Sequence, residues 1–375
     1  MVGPGAGGGA DASTDHGVSR AQRRLRVAAW TTGNVSRQAV RAIVGRHDLD
    51  LVGAFARSPA KDGVDVGELC GLTEPLGVRA TTDVGELLAL GLDCIVYAPL
   101  HFDRTEVEGL LRAGVNVVTS AELMTGTNLG DATRESLRQA ALDGGATLFG
   151  SGMNPGYAQL LAAVAAGISS GVERVTVAES VDVSQFVSDA NFAAMGWGRP
   201  KGDPGHADDV RAGTLVFAEA VEVLGLLLGV EIEERRCDVT FAHATEDIVL
   251  SEMVIPAGGV AAMDVHWTGS VAGRDVVGVQ QRWLASERVE PAWTVEHGYR
   301  IEVAGDPNLR LRLDIWPTEA DLADLTKETM HSIGMRITAV PVVNAIPAVV
   351  AADPGLATYA DLPVITSPLA TPVAP

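Results

Sequence analysis

Two stretches of the chain carry residue types whose spacing could do chemistry. The first is LRVAAWTTGNVSRQAV, residues 25–40: an apolar run, a tight polar turn and the start of a helix. Such a turn offers backbone N–H groups and the positive end of a helix dipole to an anion. In a dinucleotide-binding loop, G-x-G-x-x-G, the first glycine serves the tight turn and the second lets backbone approach pyrophosphate. The third allows close helix–strand packing. Here those places hold Thr31, Gly33 and Ser36. Gly33 keeps the place where a side chain would collide with phosphate. Thr31 is compatible with the turn if its φ is negative, and Ser36 is the next smallest choice at the packing position. Thr31, Thr32, Gly33, Asn34, Val35 and Ser36 are therefore candidate cofactor-binding residues. The second stretch is TSAELMTGTN, residues 119–128, where Glu122 follows directly on an apolar run. A carboxylate there could do acid–base work, or it could complement the dipole of a short helix. The residues alone leave both readings open.

The elements must bring these stretches together. Between 25 and 150, short β-rich runs (25–30, 49–56, 94–99, 115–120, 146–150) alternate with helical stretches around 35–46, 83–90, 103–113 and 131–143. That rhythm predicts a Rossmann-type doubly wound parallel sheet, whose ligands bind beyond the carboxyl ends of the strands. Glu122, ending the run 115–120, then lies near where a nicotinamide would end. The second run closes as GAFARSPAK, with no Asp or Glu between Asp50 and Asp62 but with Arg57, Ser58 and Lys61 clustered. An acid near this point binds a ribose 2′-hydroxyl, whereas an arginine accommodates a 2′-phosphate, gripping it with two parallel hydrogen bonds. The expected cofactor is NADP(H), with NAD(H) tolerated; an ordinary basic loop is the other reading of that cluster. Ala98 and Pro99, at the end of 94–99, complete the cofactor set.

After SGMNPG the rhythm changes. A helix (156–169), a longer strand (172–183) and the loop GWGRPKGDPGHADD (196–209) lead to an apolar helix at 210–229. Strand-like sequence then fills 235–315, and a helical run lies near 338–351. The expected fold class is α/β, a Rossmann-type domain (25–150) plus a second α+β substrate domain (151–337). Residues 338–363 are expected to return to the first domain, with residues 1–24 a disordered extension and 364–375 a loose Pro-rich tail. Asn154 can hydrogen-bond nicotinamide or substrate, or cap the next helix. Asn344, in VVNAIP, is placed to face the cofactor from the last helix. Phe149, Met153, Phe192 and Trp197 are candidate walls of a substrate pocket, although such residues also build cores.

Composition narrows the partners. The 375 residues favour two domains. The longest apolar run, VEVLGLLLGV at 221–230, contains a charge and falls short of the ~20 residues that span a bilayer, so no membrane span is expected. A formal charge of −20, with no basic block beyond RRLR, repels phosphate backbones and anionic lipid and argues against nucleic-acid binding. Cys70, Cys94 and Cys237 make neither a closed disulfide framework nor a metal spacing, which suits a reducing cytoplasm. The eight histidines show no H-x-H or H-x-x-x-H spacing, so no metal is expected. Residues 1–22 lack the apolar segment of a secretory signal.

The chain resembles the NAD(P)-dependent amine dehydrogenases related to 2,4-diaminopentanoate dehydrogenase, within the wider group whose N-terminal domain is similar to that of dihydrodipicolinate reductase. The matching pieces are VAAWTTGNVSRQAV, KDGVDVGELCG (61–71), GVNVVTSAE (114–122), GSGMNPGYA (150–158), MGWGRP (195–200) and AVPVVNAIPAVVAADPG (339–355). The resemblance implies reductive amination of a ketone or aldehyde with ammonia, or the reverse deamination, in a homodimer formed through the second domain. It places the family's essential glutamate on Glu122. Thr31 and Ser36 stand where the family has glycines. Dihydrodipicolinate reductases carry His-His-x-x-Lys-x-Asp. Here only Lys61, Lys201 and Lys327 occur, PKGDPG faintly echoes the segment, and no adjacent histidine pair exists. Two other functions stay open. One is an imine or other polar-substrate dehydrogenase, whose carboxylate-bearing substrate would need an inward arginine such as Arg199 or Arg211. The other is a non-catalytic NAD(P)-binding regulatory protein, which the altered glycines suggest. Ser151, in GSGMNPG, lacks the G-x-S-x-G context of a nucleophile.

Overall fold

The computed structural model describes residues 23–186 and 194–369. Residues 1–22 of the N-terminal extension and the candidate wall residue Phe192 therefore lie outside the described residues, whereas Arg23 and Arg24 are ordered onto Asp93 and Leu49 O. The first sheet is parallel throughout, in the order β16-β6-β5-β4-β1-β2-β3. Its strands are β1 (Leu25–Trp30), β2 (Leu49–Phe55), β3 (Ala80–Thr81), β4 (Cys94–Tyr97), β5 (Asn116–Thr119), β6 (Thr147–Gly150) and β16 (Gly355–Ala357). The order 3-2-1-4-5-6 is that of a dinucleotide-binding Rossmann fold, with its switch point between β1 and β4. Runs such as CIVY in β4 are buried on both sides because helices cover both faces of a parallel sheet. The crossovers are α1 (Asn34–Val44), the short α2 (Val66–Leu69) and α3 (Val84–Leu88), α4 (Arg104–Arg112) and α5 (Asp131–Gly144). Asp103 starts α4 by accepting the N–H groups of Thr105 and Glu106.

The second domain opens with α6 (Ala158–Ala166), which starts only after a non-helical passage at Asn154, Pro155 and Gly156. Its seven-stranded sheet runs β13-β8-β11-β12-β7-β14-β15. Here β7 is Ser170–Asp182, β8 Glu234–Ala244, β11 Val260–Val271, β12 Arg274–Leu284, β13 Val289–Glu290, β14 Gly298–Asp306 and β15 Leu309–Leu313; β9 (Ile248–Val249) and β10 (Val254–Ile255) form a separate ribbon. Only β12 and β7 pair parallel in this sheet. Period-two alternation points Val175, Val177 and Val279 into a core roofed by α6 and by α8 (Leu215–Leu227).

Three local expectations change. The helix expected at 210–229 is two, α7 (His206–Gly213) and α8, broken at Thr214. The hydroxyl of Thr214 donates to Val210 O at 2.8 Å and accepts Trp267 Nε1 at 3.2 Å, local bonds that compete with the helix ladder. After the short α9 (Glu319–Ala323), the last helix α10 spans Lys327–Val350, not 338–351, with Thr326 capping a polar first turn. The tail is not loose from 364: Ile365 is 3% exposed and packs in the first core with Tyr359 and Leu362. By length and composition α10 could cross a membrane. Here Ala339, Val342, Val343, Ile346 and Val349 are buried in the core that it shares with α1.

Candidate functional site

The site begins at the switch point. Thr31 takes φ +83°, so the condition of a negative φ under which a threonine fits this turn is not met, and the residue is an outlier for a β-branched side chain. Its hydroxyl explains why the turn survives without glycine: Oγ1 lies 2.9 Å from Ser36 Oγ and donates to Ala98 O at 3.3 Å, bridging β1 to the end of β4. Ser36 is fully buried under that bridge. Gly33 sits at φ −77°, where any residue fits, and a Cβ added there would meet only Thr31 Oγ1, at 3.9 Å. Neither backbone conformation nor crowding requires this glycine, so the open space before it is room for an incoming group. Asn34 and Val35 open α1, which has no side-chain cap and no acid in its first turn. Its N-terminal N–H groups and dipole are therefore available to pyrophosphate, and the residues present fit a dinucleotide.

Lys61 Nζ donates to Thr32 Oγ1 at 2.8 Å, bringing the basic loop onto the nucleotide turn. Ser58 leads the short turn Pro59–Lys61 that carries Lys61 there. Arg57 makes a two-pronged pair with Glu106 at 2.7 and 2.8 Å. Glu106 also accepts Trp30 Nε1 at 3.1 Å and Tyr97 OH at 2.8 Å. The acid missing from the loop after β2 thus arrives from α4, and it raises the Arg57 pKa. Burial, reinforced by Glu106, pushes the Tyr97 phenol up. Ala98 takes part through its carbonyl; Pro99 follows it, half-buried.

Glu122 follows β5, one strand beyond β4, with φ +41° and its side chain 57% exposed. His101, just after β4, brings Nδ1 to 3.8 Å from Glu122 Oε1. Ala121 N donates to Thr119 Oγ1 at 3.0 Å. The next residues cross over β6 so closely that a Cβ on Gly150 would lie 1.8 Å from Leu123 O. Ser151 N, beginning the loop after β6, donates to Thr119 O at 2.8 Å.

From that loop Asn154 Nδ2 donates to Glu179 Oε2 at 2.7 Å, while its Oδ1 accepts Gln159 Nε2 at 3.0 Å. Asn154 therefore ties the passage before α6 to β7 and to α6 itself, and it does not cap α6. The Glu179 carboxylate also accepts Trp283 Nε1 at 3.1 Å and is bonded by Tyr299. Burial nonetheless raises its pKa, against those three donors. Gln281, across the strand register from Glu179, is fully buried and neither of its amide atoms has a partner.

Several candidates stand elsewhere. Asn344 does not face the nucleotide turn: it accepts Arg46 Nη1 at 2.8 Å, and Arg46 follows the C-terminal end of α1. Eleven residues of helix, about 16 Å, separate that end from the turn. Phe149 is wholly buried edge-on to Tyr359, a first-core residue. Met153 and Trp197, each 7% exposed, belong to the second core. Arg199 pairs with Asp209 and Asp203, and Arg211 with Asp208, so neither is an inward cation awaiting a carboxylate. Among the described residues no group of three or more His, Cys, Asp or Glu is placed to hold a metal ion. Sequence reasoning missed His101, Glu106, Glu179 and Gln281. Only His101 left a trace, as a titratable residue just past a strand end.

Comparison with known proteins identifies the family and the fold. The profile of the 2,4-diaminopentanoate dehydrogenase C-terminal domain matches residues 158–371. An amine dehydrogenase of Streptomyces virginiae is 27% identical over 351 residues, covering 89% of this chain and 95% of that protein. A 4-hydroxy-tetrahydrodipicolinate reductase of Trichormus variabilis is 45% identical, but over 56 residues only, 15% of this chain and 20% of the reductase. An amine dehydrogenase structure from Mycobacterium smegmatis superposes with a TM-score of 0.73 at 22% identity, over 92% of this chain and 97% of that one, and shows the shared fold. With the family profile matching more than half of its length, the chain belongs to the 2,4-diaminopentanoate dehydrogenase family and is an NAD(P)-dependent oxidoreductase of Rossmann type.

Proposed function

We propose that this protein is an NADP(H)-preferring amine dehydrogenase, which aminates a small or medium ketone or aldehyde with ammonia or runs the reverse deamination. The observation that carries the reading is the position and conformation of Glu122. A carboxylate in the left-handed region, one strand from the switch point, shares its edge of the sheet with the open N-terminus of α1. Strained residues of this kind gather at functional sites. Gly33 and the first turn of α1 would hold pyrophosphate, and Arg57 with Lys61 would hold a 2′-phosphate. The cofactor, when bound, supplies the hydride.

Glu122 does the proton work. Its carboxylate takes a proton from ammonium, releasing ammonia to add to the carbonyl carbon. The same proton returns to the departing hydroxyl, which leaves as water, and the substrate becomes an iminium ion. The carboxylate, ionised again, stabilises that cation until reduction gives the amine. Ketone, ammonium and hydride thereby yield amine and water with charge balanced. We take the working species to be a homodimer, which a mass measurement in solution tests.

The enzymatic test is NADPH oxidation with a panel of ketones and ammonium at alkaline pH. Glu122→Gln is expected to lower kcat by roughly 10²–10⁴-fold, the usual worth of a general acid–base. Equal rates for wild type and variant would remove Glu122 from the chemistry.

A further inference from the structure

The loop that carries Glu122 is gripped from the other domain. Glu219, on α8, is fully buried. Its Oε2 accepts the backbone N–H groups of Met124 at 2.7 Å, Thr125 at 2.9 Å and Gly126 at 3.1 Å, and its Oε1 accepts that of Asn128 at 2.8 Å. A carboxylate has about four acceptor sites, and here one loop fills them. One helical turn further on, Glu222 accepts Thr125 Oγ1 at 2.6 Å and is bonded by Thr127 Oγ1 and Arg235. Asn128 Nδ2 adds a bond to Leu215 O. On the other side, Gly150 lies directly beneath Leu123 O, a contact that any Cβ would forbid.

Glu122, at φ +41°, directly precedes both fixtures, Leu123 over Gly150 and then residues 124–128 on Glu219. L side chains adopt that conformation only where the surroundings over-determine it. The surroundings here are the bare backbone of β6 below and the Glu219 carboxylate beyond. None of the four N–H groups belongs to a residue near α8 in sequence, so the grip exists only when the two domains are assembled.

We propose that Glu219 is a positioning residue: by binding the N–H groups of residues 124–128 from the second domain, it holds Glu122 in its left-handed conformation and aims its carboxylate across the switch-point crevice. This rests on the acid–base role given to Glu122 above. Without the grip the loop relaxes, and Glu122 leaves the place where it meets ammonium and the carbonyl. Misplacement of a reacting group by about 1 Å is worth on the order of 10²-fold in rate.

The experiment is a double-mutant cycle on ketone amination. Glu219→Gln keeps the shape but turns an amide NH₂ towards donors. It is expected to lower kcat about 10–100-fold while KM for NADPH and ketone stays within about threefold. In the Glu122→Gln background the same change is expected to cost nothing further, because the group it positions is already gone. If Glu219→Gln does not fold, Glu219→Asp keeps the acceptor chemistry while drawing the carboxylate back, and must show the same non-additive loss. A purely structural Glu219 would lower the melting temperature and leave kcat unchanged, or would slow both backgrounds by one factor; either result overturns the proposal. Should Glu122→Gln itself run at the wild-type rate, the functional reading falls and this one with it. A slow Glu122→Gln beside a full-rate Glu219 variant sinks only the grip.

Discussion

Thr31 keeps the backbone of a glycine with the side chain of a threonine. Its φ of +83° carries strain on the order of 1–3 kcal/mol, offset by the bonds of its hydroxyl to Ser36 and Ala98, each worth about 0.5–1.5 kcal/mol. Two substitutions separate the terms. Thr31→Val keeps the strain and loses the bonds, so it is expected to destabilise by about 1–2 kcal/mol in denaturant melts. Thr31→Gly loses both and is expected to stay within about 1 kcal/mol of wild type. Equal losses from the two variants would mean that the turn is not strained in the way its φ implies. Arg57 presents the second question at this scale, because Glu106 already holds the guanidinium that a 2′-phosphate would need. Charge-assisted hydrogen bonds are worth about 1.5–3 kcal/mol, and sharing with Glu106 favours the low end. Arg57→Ala is expected to raise KM for NADPH about tenfold and to change KM for NADH by less than about twofold. An unchanged ratio of the two would place cofactor choice on other residues.

At the scale of elements, β7 carries an acid on its core side where alternation places valines: Val175 and Val177 are followed by Glu179. Burial raises the pKa of Glu179 from its ordinary value near 4.5, so just above that pH the native chain keeps more of this proton than the unfolded chain does. From about pH 4.5 upward the native state therefore binds more protons than the unfolded state, and stability declines with rising pH through that window. Melting temperatures measured from about pH 4.5 to 7 are expected to show this slope in wild type and to lose it in Glu179→Gln. An unchanged slope would assign the proton to another group. The strands and helices of the first domain were legible in sequence because their period and turn residues are local. The ends β3 and β16 were not, since two or three residues beside a finished sheet carry no periodic signal. The early start of α10 was hidden for a different reason. Its first turns, KETMHSIGMR, lack the apolar stripe that marks a core helix, and they are fixed by the Thr326 cap and by Gln38 of α1, which donates to Ser332 at 2.9 Å.

Taken whole, the described residues form two seven-stranded sheets and a small ribbon, and the proposed chemistry falls where the two large sheets' domains meet. Glu219 reaches from the second domain to the Glu122 loop, α10 returns to lie along α1, and Asn154 ties the passage into the second domain to Glu179. The sequence by itself determined what depends on neighbours along the chain. These were the alternating βα rhythm, the turn at Gly33, the placing of Glu122 after a strand, the absence of basic blocks, and the family that these pieces resemble. Only the tertiary structure decided which charged groups meet. Arg57 finds Glu106 forty-nine positions away, Asn344 finds Arg46 at the wrong end of α1, and the four N–H groups that follow Glu122 find a carboxylate more than ninety positions on. Periodicity encodes which face of an element is buried. It says nothing of which distant polar group will be waiting there, because that is set by how finished elements pack and by the requirement that every enclosed N–H and charge find a partner.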